Sequence, residues 1–162
     1  MSGKIVLITG ATSGCGLATA KLFADCSGDA VLSRLAGAEV MYGREAQSVF
    51  GESLAPKEHQ KLVMGHSIRW YTEKTDVPSD FPDIDWGFAF DDSTYLNVYN
   101  GDWEQETGFA RDMADDIEYI RDYGLRAIYS NWSYQKNHCK NKADFACYRL
   151  KWASALGGKR ES

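Results

Sequence analysis

Three groups of residues have types and spacing that could do chemistry. The first is Gly10-Ala11-Thr12-Ser13-Gly14-Cys15-Gly16, which follows the apolar run Lys4 to Thr9 and precedes Leu17, Ala18, Ala20, Lys21 and Leu22. Glycines let a backbone approach a pyrophosphate, and free N–H groups at a helix start point at the anion. Such a turn between a strand and a helix says more than a lone glycine run, so Gly10, Ser13, Gly14 and Gly16 are candidate nucleotide contacts. The second group is acidic: Asp91-Asp92, with Asp80, Asp83 and Asp85. With Trp70, Trp86, Trp103 and Trp132 these could form a sugar platform carrying two carboxylates. The plainer expectation is a polar turn and a solvated loop, with the tryptophans in the core. The third group is Cys15, Cys26, Cys139 and Cys147 with His59, His66 and His138. It has no CxxC pair and no metal-ligand spacing, so reduced, mostly buried thiols are expected and no metal site.

The elements that must position these groups follow from pattern. The chain has 162 residues and 44% apolar content, enough for one folded unit without disulfides or metal. Its longest early aliphatic run, Ile5-Val6-Leu7-Ile8, is far short of a membrane span and makes a poor signal peptide. A net charge of −5 argues against nucleic acid. The charge is segregated, with residues 102–122 acidic and 126–160 basic, which reads as two helical segments neutralising each other. Ser67 to Thr72 reads as a strand with Ile68 and Trp70 on one face. Trp86 to Phe90, the turn Asp91 to Thr94, and Tyr95 to Tyr99 read as a hairpin. Asp76 to Asp85, with Pro78 and Pro82, is a loop. Thr107 is the expected N-cap of a helix carrying Phe109, Met113, Ile117 and Ile120, with Gly124 kinking or ending it. A second helix is expected from Lys142 to Leu156, with Phe145, Tyr148, Trp152 and Leu156 on one face.

Two families are resembled. Residues 4–22, from Lys4-Ile5-Val6-Leu7-Ile8-Thr9-Gly10 through Gly14-Cys15-Gly16, resemble the T-G-x-x-x-G-x-G turn of short-chain dehydrogenase/reductases. That resemblance implies a second strand at Ala30-Val31-Leu32-Ser33 and, through Arg34, NADP over NAD. The Tyr and Lys four residues apart that this family's catalysis needs are missing. From Leu22 onward the chain resembles the FAD-dependent oxidoreductases often labelled xanthan-lyase-like. The residues that carry this are Leu22 to Asp29, Leu35 to Glu39, Gly43 to Ala46, Gly51 to Pro56, Trp103 to Asp112, Ile120 to Trp132 and Gly158 to Ser162. It implies that Ser27, Gly28 and Asp29 lie near FAD and that residues 44–132 cover the substrate. The flavoenzyme resemblance makes Lys21 to Asp25 a strand; helix propensity makes residues 17–26 a helix ending near Cys26-Ser27-Gly28, and the helix is preferred. Asp29 is read either as a helix N-cap or as a ligand contact.

The combined expectation is an α/β protein with an N-terminal Rossmann-like strand-turn-helix, a central β-hairpin region and two C-terminal helices. It spans residues 1–162 as one domain, with 1–40 dinucleotide-binding-like and 41–162 a substrate- or cap-like region. The expected function is FAD-dependent oxidoreductase, as an incomplete or rearranged member of the family. Three alternatives stay open: an NAD(P)-binding domain without the reductase pair, a carbohydrate-binding module, and a folded fragment without activity of its own. FAD is the expected cofactor and NADP the alternative. The expected setting is the cytoplasm. A small-molecule substrate is expected, with no nucleic acid and no membrane, and a second copy or a complementing chain is left open.

Overall fold

The computed structural model describes residues 25–159, so Gly10, Ser13, Gly14, Gly16 and the segment 17–24 lie outside the described residues. The chain divides into two compact units, one up to Tyr42 and one from Gly43 onward.

In the first unit, α1 spans Val31–Leu35. This corrects the expectation of a second strand at residues 30–33. The local reason is in the hydrogen bonds: the Val31 N–H donates to the Ser27 hydroxyl at 2.9 Å and the Ser33 N–H to the Asp25 carboxylate at 2.8 Å. These side chains satisfy N–H groups that begin a helical turn, where a strand would have needed a neighbour. Ala30, not Asp29, is the N-cap residue, and no side chain caps from that position. Asp25 and Cys26 belong to neither a helix nor a strand.

The second unit is mixed α/β, with two small antiparallel sheets and one long helix. Its elements are α2 (Gln47–Phe50), β1 (His66–Ser67), β2 (Trp70–Lys74), β3 (Asn100–Gly101), β4 (Glu106–Thr107), α3 (Ile117–Asn137), α4 (Lys142–Phe145) and β5 (Tyr148–Ala153). β1 pairs with β4, His66 opposite Thr107. The second sheet has the order β3-β2-β5, with Trp70 opposite both Gly101 and Ala153. Ile68, Trp70, Ile128, Trp132, Cys139 and Phe145 form the buried core, to which α3 contributes Ile128 and Trp132. Trp70 and Trp132 meet at 6.0 Å between ring centroids, and Trp132 meets Phe145 edge-on at 5.9 Å.

Several expectations are corrected. The strand at 67–72 is split into β1 and β2 by Ile68-Arg69, with a register shift at Tyr71/Thr72. Residues 86–99 form no hairpin; only the turn at Asp91 to Thr94 is as expected, closed by N–H donation from Thr94 and Tyr95 to the Asp91 carbonyl at 3.1 Å. Thr107 is a strand residue, and the helix begins at Ile117. Phe109, placed on the helical stripe, is 46% exposed. Most acids of residues 102–122 therefore precede the helix rather than lie along it. The helix runs through Gly124 without ending there, because Gly124 is the point of closest approach to Ile68: a Cβ would stand 2.5 Å from Ile68 Cγ1. The second helix stops at Phe145, and Tyr148 to Ala153 pairs with β2 instead. Tyr148, Leu150 and Trp152 also alternate, so the segment carries both periods, and an open edge of β2 selects the strand.

Candidate functional site

The inner and flanking faces of α3 carry polar side chains that an amphipathic helix would not bury: Ser130, Asn131, Ser133 and Gln135 are all buried. Each does the work of a missing strand. Asn131 accepts from the Leu96 N–H at 2.7 Å and donates to the Leu96 carbonyl at 3.0 Å and to Gln135 Oε1 at 2.9 Å. Gln135 donates to the Val98 carbonyl at 2.9 Å. Ser130 accepts from the Phe88 N–H at 2.8 Å, and Ser133 bridges Pro82 and Ile84. Asn137 donates to the Phe81 carbonyl at 3.2 Å. Lys136 Nζ lies within hydrogen-bond distance of the carbonyls of Phe145, Ala146 and Tyr148 and of the Ser79 hydroxyl. Burial holds that ammonium below its usual pKa. Residues 79–98 are thus fixed against α3 without a ladder, since buried backbone groups must find partners somewhere.

Two clefts open along this helix. One, of about 360 Å³, is lined by Asp83, Phe88, Phe90, Ser130, Tyr134 and His138, among others. His138 Nε2 lies 2.8 Å from Asp83 Oδ1, both side chains about half exposed. The Tyr134 hydroxyl donates to Asp92 at 3.3 Å, and burial together with Asp92 pushes its phenol above the ordinary value. The other, of about 310 Å³, is lined by Glu106, Phe109, Arg111, Tyr119, Ile120 and Tyr123, among others.

Both carboxylates of the expected acidic pair are taken up by the turn and its neighbours. Asp91 accepts from the Ser93 N–H and from the Ser93 and Thr94 hydroxyls, which holds its carboxyl below the usual range. Asp92 accepts from Tyr134 and from the Lys140 N–H. Trp70 and Trp132 are buried and so cannot face a sugar, whereas Trp86 and Trp103 are exposed. Cys139 is buried and donates its S–H to the Gln135 carbonyl, Cys147 is half-buried, and Cys26 is exposed. The His138–Asp83 pair lay outside the reading of the sequence, because 55 residues separate the two.

In the first unit, Ser27, Gly28 and Asp29 form one turn. Asp25 accepts from the Ser27 hydroxyl and from the Ser27 and Ser33 N–H groups, which together hold its carboxyl far below the usual range. Gly28 has φ 86°, and nothing stands within 4 Å of where a Cβ would project. A hydroxyl, a carboxylate and open backbone are the groups that hold the ribose and phosphates of a dinucleotide, so these residues fit FAD in chemical type.

The class defined so far is a mixed α/β protein with an open polar turn in one unit and a helix-lined pair of clefts in the other. The family model described as FAD dependent oxidoreductase matches residues 1–162. The chain belongs to that family. No curated protein and no solved structure matches it. Among the described residues no helix is long and apolar enough to cross a membrane.

Proposed function

We propose that the chain binds FAD through its first forty residues and presents substrate from residues 41–162. The observation that carries this is the family match over the whole sequence. FAD, when bound, supplies a two-electron acceptor, and the protein binds it, orients substrate and tunes the charge around it. Within the chain, Ser27 and Asp29 are assigned to the cofactor's hydroxyl groups and the open backbone at Gly28 to its close approach. Gly10, Ser13, Gly14 and Gly16 are assigned to the phosphates. Family membership speaks for FAD and gives NADP no support. Among the described residues Cys26, Cys139 and Cys147 are free thiols, which favours a reducing compartment such as the cytoplasm.

The test is direct. The purified chain is examined for a flavin absorbance spectrum, and FAD and NADPH are titrated into it by fluorescence. Saturable FAD binding that weakens in Gly14→Asp and in Asp29→Ala, with no NADPH response, is the expected result. A chain that neither carries flavin nor responds to FAD would overturn the assignment.

A further inference from the structure

The outer face of α3 is lined in a way the flavin assignment does not use. Tyr119, Tyr123, Arg126 and Tyr134 fall on one face at helical spacing, and His138 follows at the C-cap. Tyr119 and Tyr123 are 50% and 43% exposed, with ring centroids 6.1 Å apart. The Phe88 ring continues the row, 4.9 Å from Tyr123, and itself lines the cleft that holds Tyr134 and His138. The two clefts are therefore joined by one aromatic pair. From Tyr119 to His138 the row is about 28 Å long, at 1.5 Å rise per residue.

The charged groups along this row narrow the ligand. Both arginines are engaged: Arg111 lies 4.1 Å over the Tyr119 ring and 3.8 Å from Asp116, and Arg126 lies 4.4 Å over Phe88 while donating to the Gly87 carbonyl. The clefts themselves hold Glu106 and Asp83, which accept hydrogen bonds and repel anions. A phosphate backbone would need unengaged cations, and meets carboxylates instead. A proline-rich peptide suits an aromatic groove but brings few N–H donors, so the carboxylates it covered would lose water without replacement. A neutral sugar chain satisfies both features. The C–H faces of its rings pack on the exposed aromatic surface of Tyr119 and Tyr123, and its hydroxyls donate to Asp83 and Glu106 and bond the His138 ring.

We propose that the outer face of α3, from Phe109 and Tyr119 through Tyr123 and Phe88 to Tyr134 and His138, binds a linear neutral oligosaccharide. The assignment is independent of flavin binding, since it needs only the second unit's clefts, and it is read without an activity assay. The full chain is titrated calorimetrically with hexasaccharides of β-1,4-linked glucose, mannose and xylose, and in parallel with a hexauronate, a single-stranded RNA hexamer and a proline-rich decapeptide. At least one neutral hexasaccharide is expected to bind saturably. Tyr123→Ala and His138→Ala should each weaken it about tenfold, the effect of losing one stacked ring or one hydrogen bond. Trp152→Ala, whose ring stacks on Tyr71 at 4.9 Å in the sheet, should leave binding unchanged. Tyr119→Ala, at a half-exposed position, repeats the test where folding is least at risk, and circular dichroism checks each variant. Failure of all three neutral chains would overturn the proposal. So would stronger binding of the hexauronate, the RNA or the peptide, or binding indifferent to Tyr119, Tyr123 and His138. FAD titration of the same preparations keeps a failed flavin assignment distinct from a failed sugar site.

Discussion

The second unit holds its backbone in two ways, and they differ in how much rests on each side chain. In β2 and β5 the ladder is backbone to backbone, from Trp70 opposite Ala153 to Lys74 opposite Tyr148. The hydrogen bonds there do not depend on which side chains the strands carry. In residues 79–98 there is no ladder, and the polar groups are met one at a time by Ser130, Asn131, Ser133, Gln135 and Asn137 of α3. That region depends on individual residues. The difference teaches that buried polar residues on a helix can replace strand pairing, at the cost of making each one hard to substitute.

Removing what the two regions share should have the largest effect. Trp132→Ala empties the core between sheet and helix and should cost about 3–5 kcal/mol, read as a lower urea midpoint. Asn131→Leu strikes the loop and the Asn131–Gln135 bond within α3, not the sheet. It leaves the Leu96 N–H and carbonyl without their partner and should cost about 2–3 kcal/mol. Hydrogen exchange should then quicken around residues 94–98 while β2 and β5 stay protected. Equal quickening in the sheet would end the distinction between the regions.

Gly124→Ala tests the packing of α3 by sign. Helix propensity alone favours alanine by about 1 kcal/mol. The contact with Ile68 predicts a net loss of about 1–2 kcal/mol instead, because Ile68 is buried and cannot swing clear. A stabilised variant would show that Ile68 yields.

The smallest effect belongs to the ladder's surface. Glu73 takes hydrogen bonds from Lys151, at 2.7 Å, and from Arg149, and these hold its carboxyl below the ordinary 4.5. A carboxylate whose pKa is lowered by folding stabilises above its unfolded value, and that contribution is lost as pH falls through the folded value. Glu73→Gln should therefore lower the urea midpoint slightly at pH 7, with the gap closing below about pH 4.5. A gap as wide at pH 3 as at pH 7 would show that the pair contributes nothing through its charge.

Much of this was legible in the residues, and the failures have one cause. The burial of Trp70 and Trp132, the loop 76–85, the turn at Asp91 and the strand around Trp70 follow from local pattern, whereas Trp86 and Trp103, also expected in the core, are exposed. So does the membership in the FAD dependent oxidoreductase family, carried by motifs spread along the chain. Residues 86–90 and 95–99 have strand composition yet form no strand, because α3 supplies their hydrogen bonds from more than thirty residues away. The stretch 148–153 has helical spacing yet becomes a strand, because β2 offers a paired edge. The His138–Asp83 pair and the aromatic row along α3 needed the fold to bring together residues distant in the chain.

The sequence by itself determined the family, part of the hydrophobic core and the turn at Asp91, because these rest on side-chain type and short-range spacing. The tertiary structure decided which segments pair, which polar side chains are buried and which rings line a cleft. Those outcomes depend on what lies opposite each backbone group, and no local pattern carries that information.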